Sequence, residues 1–369
     1  MTRSYKPSIL FIVQHRFNRS PGQRYRCEQY ISYLEANGFE CVYSPLIATK
    51  EEDNALYNSQ SLFDKASIFL KGFLRRVKDV WRAKDFDIVF IYREAFMTGS
   101  VLFEKLLKKS GARIILDFDD AIWLSTVSEA NKSLQWLKRP EKVNNIIALS
   151  NLTITGNAYL ANYAKAYNPN VVVFPSTINL NYYTIPPVQQ KNDTGKIVIG
   201  WSGSHTTVEH FETIVPVLKK LKNKFGDKLE FEVYGDPHYK NDELEIQGTA
   251  WSFESEVATI ASFDVGIMPL PDDNWSKGKC AMKGLQYMGL AVPAVLSSVG
   301  FNKDVIEDGV NGFLAATEAE WMDKLTRLIE SKELRVQLGN AGRKTIEQRF
   351  SSQALSKTYL NIFQQVLNS

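Results

Sequence analysis

Short runs rich in β-branched residues alternate with longer segments of helical spacing along nearly the whole chain. Ser8–Val13 reads as a strand, Gln23–Asn37 as a helix closed by Gly38, and Phe39–Ser44 as a second strand. Phe86–Tyr92 and Arg113–Phe118 are continuous apolar runs, the pattern of parallel strands covered on both faces. Phe96–Lys109 between them has helical spacing, and Leu152–Thr155 and Val171–Pro175 complete the first half. Residues 176–195 break the rhythm with paired prolines and polar residues, and read as a linker. The alternation then restarts, with strands at Lys196–Trp201, Leu229–Tyr234, Asp264–Met268 and Val292–Leu296. Helical spacing covers His205–Lys224, Phe253–Ala261, Lys279–Met288, Glu318–Ser331 and Lys332–Arg349. In 352–367, Leu355, Tyr359, Ile362, Phe363 and Val366 form the apolar stripe of a last helix.

This pattern predicts two doubly wound α/β domains with parallel sheets, residues 1–178 and 195–351. A chain of 369 residues suits that division, because a single core stops growing near roughly 250–300 residues. Such sheets place ligands beyond the carboxyl ends of their strands, and a cleft between two of them is the default site.

Composition narrows the class. Hydrophobic residues make up 44% and charged residues 23%, ordinary values for a globular protein and wrong for a disordered chain or a coiled coil. Lys plus Arg is 44 against 41 for Asp plus Glu, a net charge of +3, so no nucleic-acid partner is expected. The first apolar run is too short for a signal peptide, and no stretch approaches the ~20 apolar residues of a membrane span. Cys27, Cys41 and Cys280 are too scattered for a zinc site or a disulfide framework, which points to a cytoplasmic setting. Cys27 and Cys41 are expected in the core.

Five stretches carry candidate chemistry. In Arg19–Arg26, Gly22 permits close backbone approach at a helix start, and Arg24 and Arg26 add cations; the plainer reading is a Pro-Gly turn with exposed arginines. Asp117, Asp119 and Asp120 at a strand end repel one another unless cations, N–H groups or ligand hydroxyls compensate. Asp119 and Asp120 are placed for sugar hydroxyls, and a raised pKa on one would give a general acid or base; the alternative is helix capping. In Gly200–Thr207, Gly203 and Ser204 form a loop able to offer N–H groups to a phosphate, with Ser204, Thr206 and Thr207 as N-cap candidates. In Asp264–Gly300, Lys277, Gly278 and Lys279 open a helix, and Lys283 lies four residues beyond Lys279 on the same face. A diphosphate would satisfy those like charges, leaving Gln286 for ribose hydroxyls; otherwise the lysines are solvated. Finally, residues 65–84 align Leu70, Phe73, Leu74, Val77 and Trp81, with Lys65, Lys71, Arg75, Arg76, Lys78, Arg82 and Lys84 against Asp79 alone. That fits an anionic membrane surface, or a packed helix with a basic outer face.

The run from Asp264 through Ala315 resembles the donor-binding segment of family 4 (group 1) glycosyltransferases. SPGQRYRCEQYISYLEANGFE, ILDFDDAIW, TGNAYLANYA and GWSGSHTT are similar to other signatures of its polysaccharide-building members. The resemblance implies the GT-B fold: two Rossmann-like domains facing each other across a cleft, with residues 352–369 crossing back to the first. It implies retaining transfer from a nucleotide-diphosphate-sugar, held by the second domain, to a glycan or lipid-linked acceptor held by the first. No metal and no permanently bound cofactor are expected, and the inner membrane face is the implied station of a peripheral enzyme. Asp119, Asp120 and Lys279 are the catalytic candidates. Gly22, Arg24, Gly203, Ser204, Lys277, Gly278, Lys279, Cys280, Ala281, Lys283 and Gln286 are the donor-contacting ones. The chain departs from the family where a pair of glutamates falls on Gly278 and Gln286, and where an Arg/Lys pair is missing at Gly203–Thr207. An epimerase of the same fold, or a binding-only member, stays open as an alternative.

Overall fold

Ile9–Val13 are completely buried in β1 (Ser8–His15), which has a parallel neighbour on each side and is covered on its faces. A computed structural model describes residues 5–57, 61–124, 139, 141–185 and 195–369, and their contacts divide the chain into two units. In the first, β1 joins β2 (Glu40–Ile47), β3 (Ile88–Tyr92), β4 (Arg113–Phe118), β5 (Leu152–Thr155) and β6 (Val171–Val173). The order is β2-β1-β3-β4-β5-β6, all parallel. The order reverses between β1 and β3, which makes their carboxyl ends the topological switch point.

The second unit repeats the plan with β7 (Ile197–Ser202) and β8 (Leu229–Tyr234), the small hairpin β9 (Lys240–Asn241) and β10 (Ile246–Gln247), then β11 (Val265–Met268), β12 (Ala294–Ser297) and β13 (Phe313–Ala315). Its five-stranded parallel sheet has the order β13-β12-β11-β7-β8, with the switch point between β7 and β11. Both sheets are Rossmann-like, and both agree with the predicted alternation.

Several boundaries differ from the expected ones. The unit boundaries fall after Pro175 and after Leu355, so the first part of the expected linker is built into the second unit. Ile178 donates its N–H to Phe350 O at 2.8 Å and accepts one from Ser352 at 2.9 Å, which pins this stretch beside the end of the long carboxyl-terminal helices. The rest of the linker, 186–194, lies outside the described residues. The helix expected over His205–Lys224 is a 3-10 turn, His205–Thr207, then Val208–Glu212 and Val215–Phe225. Neither Ser204 nor Thr207 caps it through its side chain. No helix among the described residues is long and apolar enough to cross a membrane.

The final helix, Ser352–Asn368, buries Tyr359, Ile362, Phe363 and Val366 as its stripe requires, and from Ser356 onward it belongs to the first unit. Phe363 lies against Phe11 and Phe90 of the sheet, with ring centroids 6.3 and 6.1 Å away, and Tyr359 stacks on Tyr30 at 4.2 Å. Replacing a buried phenylalanine by alanine removes both its transfer energy and its packing, typically about 3–5 kcal/mol. Phe363→Ala is therefore expected to lower the unfolding free energy by about that amount in urea titration; a loss below ~1 kcal/mol would mean that this helix is not part of the first core.

Candidate functional site

At the second switch point one helix organises the loops. Gly266 in β11 has no side chain, so the Tyr287 ring lies directly on it; a Cβ there would sit 2.4 Å from Tyr287 Cγ. Gly284 admits Leu296 of β12 in the same way, at 2.6 Å. The Tyr287 hydroxyl accepts the Ser202 N–H at 3.0 Å and donates to Ile267 O at 3.2 Å, and burial pushes its pKa up to about 12. The helix Met282–Gly289 is thereby fixed across β7 and β11.

The lysines gather at its start, but not as a helical face. Ala281 takes a left-handed conformation, φ 55°, so the helix begins at Met282 and Lys279 precedes it. The expected i,i+4 relation of Lys279 and Lys283 within one helix is corrected accordingly. Each ammonium instead lies near an indole: Lys279 Nζ is 4.5 Å from the Trp275 centroid and Lys283 Nζ 5.2 Å from that of Trp201. The quadrupole of each ring attracts its cation. His210, buried in the middle of the short helix Val208–Glu212, belongs to the same group. Its pKa is lowered first by burial and then by Lys283 and Lys279, so the imidazole is neutral near pH 7. Sequence reading missed His210, because a lone histidine flanked by Glu209 and Phe211 belongs to no motif.

The remaining donor candidates divide. Gly203 is close to this group: a Cβ there would meet the Trp201 ring at 2.3 Å, and its N–H is taken by Tyr234 O at 2.8 Å. Ser204 is exposed and bonded to Thr206. Lys277 ends a one-turn helix, Asn274–Lys277, whose cap is Asp273, and pairs with Asp272 at 3.1 Å. Gly278, Cys280 and Ala281 are buried backbone between the two helices. Gln286, expected to reach ribose, instead donates to Tyr183 Oη at 2.8 Å and Glu256 Oε1 at 3.2 Å, an internal network also fed by Trp251 Nε1.

The first switch point is polar and closely paired. Arg93 follows β3 with φ 64°, an uncommon conformation for a non-glycine residue. Its guanidinium bonds Asp119 at 2.7 Å and also Asp120, and Tyr92 Oη donates to Asp119 at 2.8 Å. Burial alone would raise the Asp119 pKa, but Arg93, Arg26 and Tyr92 outweigh it and hold the carboxyl below its usual range. A raised pKa on one of these carboxyls, expected for a general acid or base, does not fall on Asp119, and among the described residues 121–124 no helix begins for Asp120 to cap. The raised carboxyl is Asp117, pushed up by burial and locked to Arg26 at 2.7 and 2.9 Å with both side chains fully buried.

Arg26 is therefore structural, not a donor to ligand. Arg24 is buried as well, bonded to Tyr25 Oη at 2.8 Å, so the reading of an exposed-arginine turn fails at both positions. The residues lie in a π-helical turn, Arg24–Glu28, within a helix that starts at Pro21. Gly22 is required by Tyr92 and Asp119: a Cβ would stand 2.0 Å from the phenol oxygen and 3.1 Å from a carboxylate oxygen. Among the described residues no group of His, Cys, Asp and Glu side chains is gathered as a metal site.

Residues 196–331 match the family described as Glycosyl transferases group 1. No curated protein matches the chain by sequence. A glycosyltransferase from Rickettsia africae ESF-5 superposes with a TM-score of 0.68 at 15% identity, over 98% of this chain and 99% of that one. Anabaena HepE in complex with UDP-glucose gives 0.67 at 13% identity, over 97% and 99%. A sucrose-phosphate synthase from Thermosynechococcus elongatus gives 0.66 at 13% identity, over 99% and 100%. The fold they share with this chain is GT-B.

His15, at the carboxyl end of β1, yields a pH test. Burial first, then Arg19, lowers its pKa from 6.5 to about 4, although Asp53 pulls the other way. A depressed folded-state value means that stability is full above pH 6.5 and falls as pH drops toward 4. His15→Gln should flatten that acid limb, worth up to about 3 kcal/mol, in unfolding experiments run across the window. An unchanged limb would remove His15 from the account.

Proposed function

We propose that the chain, whose residues 196–331 match the group 1 glycosyl transferases, is a retaining glycosyltransferase. It moves a sugar from a nucleotide-diphosphate-sugar to a glycan or lipid-linked acceptor, in the building of a bacterial surface polysaccharide. The observation that carries this reading is the convergence of Lys279 and Lys283, each beside an indole and next to neutral His210, at the β7/β11 switch point. The departing nucleoside diphosphate gains negative charge as the glycosidic bond breaks. Two cations already in place stabilise that charge with little reorganisation. The low dielectric of a half-buried edge strengthens the effect.

In this reading the backbone around Gly203 and Gly278–Ala281 accommodates the diphosphate, and lysine charge rather than a bound cation takes up the leaving group's charge. Lys277, half committed to Asp272, forms the rim. Asp119, held ionised by Arg93, accepts a hydrogen bond from an acceptor hydroxyl at the first unit's edge, and Asp120 assists. Support for the donor class comes from structural neighbours solved with UDP and UDP-glucose, such as HepE.

Lys279→Ala is expected to lower transfer about 10²–10³-fold with an unchanged melting temperature, as for the loss of one charge-stabilising donor. Turnover is measured on product release, and a thermal-shift panel of UDP, GDP and ADP identifies the base through the rise each gives the native state. Unchanged turnover in the variant sinks the phosphate assignment. Sugar isomerisation without any acceptor, or nucleotide binding without turnover, overturns the transferase reading itself.

A further inference from the structure

The helix Leu62–Arg82 is turned opposite to the usual helix on a sheet. Its inward face carries Ile68, Gly72, Arg76 and Asp79. Arg76 is fully buried and donates to Ala95 O at 2.6 Å, Val13 O at 2.7 Å and Asp79 Oδ2 at 2.7 Å, while Ser44 Oγ donates to Asp79. Gly72 lets the helix close on Leu46; a Cβ would lie 2.9 Å from its Cδ1. The helix is thus anchored to the sheet by charge-assisted bonds to backbone carbonyls.

Its large apolar side chains point the other way. Leu62 and Phe63 are 82% exposed, Trp81 77%, and Phe69, Leu70, Leu74 and Val77 between 45% and 58%. They recur at helical spacing, so they form one continuous stripe. Phe69 and Phe73 touch Phe96 and Phe103, next to which Met97 and Leu102 are also exposed, so the patch extends past the helix itself. A patch of this kind marks an interaction surface. Lys71 and Lys78, both exposed, run along one rim of the stripe; Lys65 stands on the other and Lys84 follows its end. The acids of the helix are Asp79, buried under Arg76, and Asp64 in the first turn.

We propose that this stripe is the docking face for an anionic lipid leaflet. The apolar side chains enter the boundary between headgroups and acyl chains, Trp81 sits at headgroup depth, and the lysine rim pairs with lipid phosphates. A bilayer suits the patch because it is apolar along its middle and cationic along its rim, as an anionic interface requires. The proposal stands apart from the sugar-transfer reading, since it concerns binding alone.

The test is co-sedimentation of the full chain with vesicles of phosphatidylcholine containing about 30% phosphatidylglycerol, against pure phosphatidylcholine. Binding is expected only to the former, weakened by salt. Leu70→Ser/Leu74→Ser/Trp81→Ser should cut partitioning more than tenfold with an unchanged melting temperature, because these side chains are exposed. Lys71→Glu/Lys78→Glu should remove the preference for phosphatidylglycerol by roughly tenfold. Equal partitioning of the triple variant and the parent overturns the proposal. So does a concentration-dependent dimer in sedimentation velocity that the triple variant abolishes, since the stripe is then covered by a second copy.

Discussion

The contact between the Tyr287 ring and the bare backbone of Gly266 sets the geometry of the second unit's switch point. It brings a helix to within a side chain's thickness of the sheet, and the phenol then bonds both β7 and β11 across their switch point. Two strands that diverge in sequence order are thereby locked at the place where a ligand would enter. Lys283 is on that helix and Lys279 just before it, so the position of both charges follows from one close approach. Any side chain at position 266 would lift the helix and carry the lysines with it.

The first unit depends on charge where the second depends on a void. The Asp117–Arg26 pair is fully buried, and it fixes the π-helical turn to β4. Around it, Arg93 gathers Asp119 and Asp120. Three carboxylates in four residues are tolerable because two guanidiniums divide them. A buried pair of this kind is weak evidence for net stability, but losing one partner leaves a charge stranded in a low dielectric.

The fold was legible because strand and helix periods differ, and because both sheets are covered on two faces. Leu229–Tyr234, Leu152–Thr155 and the helix from Glu318 lie close to where the pattern put them. The candidate sites were legible as stretches but not as contacts. Arg26 reads as a cation beside a glycine turn; nothing near it in the chain announces Asp117, 91 positions away. Arg93 carries no motif at all. Gln286 sits at a helical spacing from the lysines, yet Tyr183 and Glu256 claim it, and both come from segments read as loop or as another helix. Ala281 is a good helix former, so its left-handed backbone could not be foreseen. For residues 62–82 periodicity located the apolar stripe but could not say which way it turned, because the anchor is a buried arginine that binds carbonyls rather than a patch of leucines.

The return of the last helix to the first unit bears on the order of synthesis. The stretch from Ser176 to Leu355 is continuous, so everything the second unit needs is made before the chain leaves it. The first unit is split: Tyr359 and Phe363, which cover Tyr30, Phe11 and Phe90, emerge only after roughly half of the polypeptide has been translated in between. A domain ordinarily folds as soon as it has left the ribosome. Here the amino-terminal sheet must wait with an aromatic face bare while its neighbour completes, which makes the earliest-made half the last to mature.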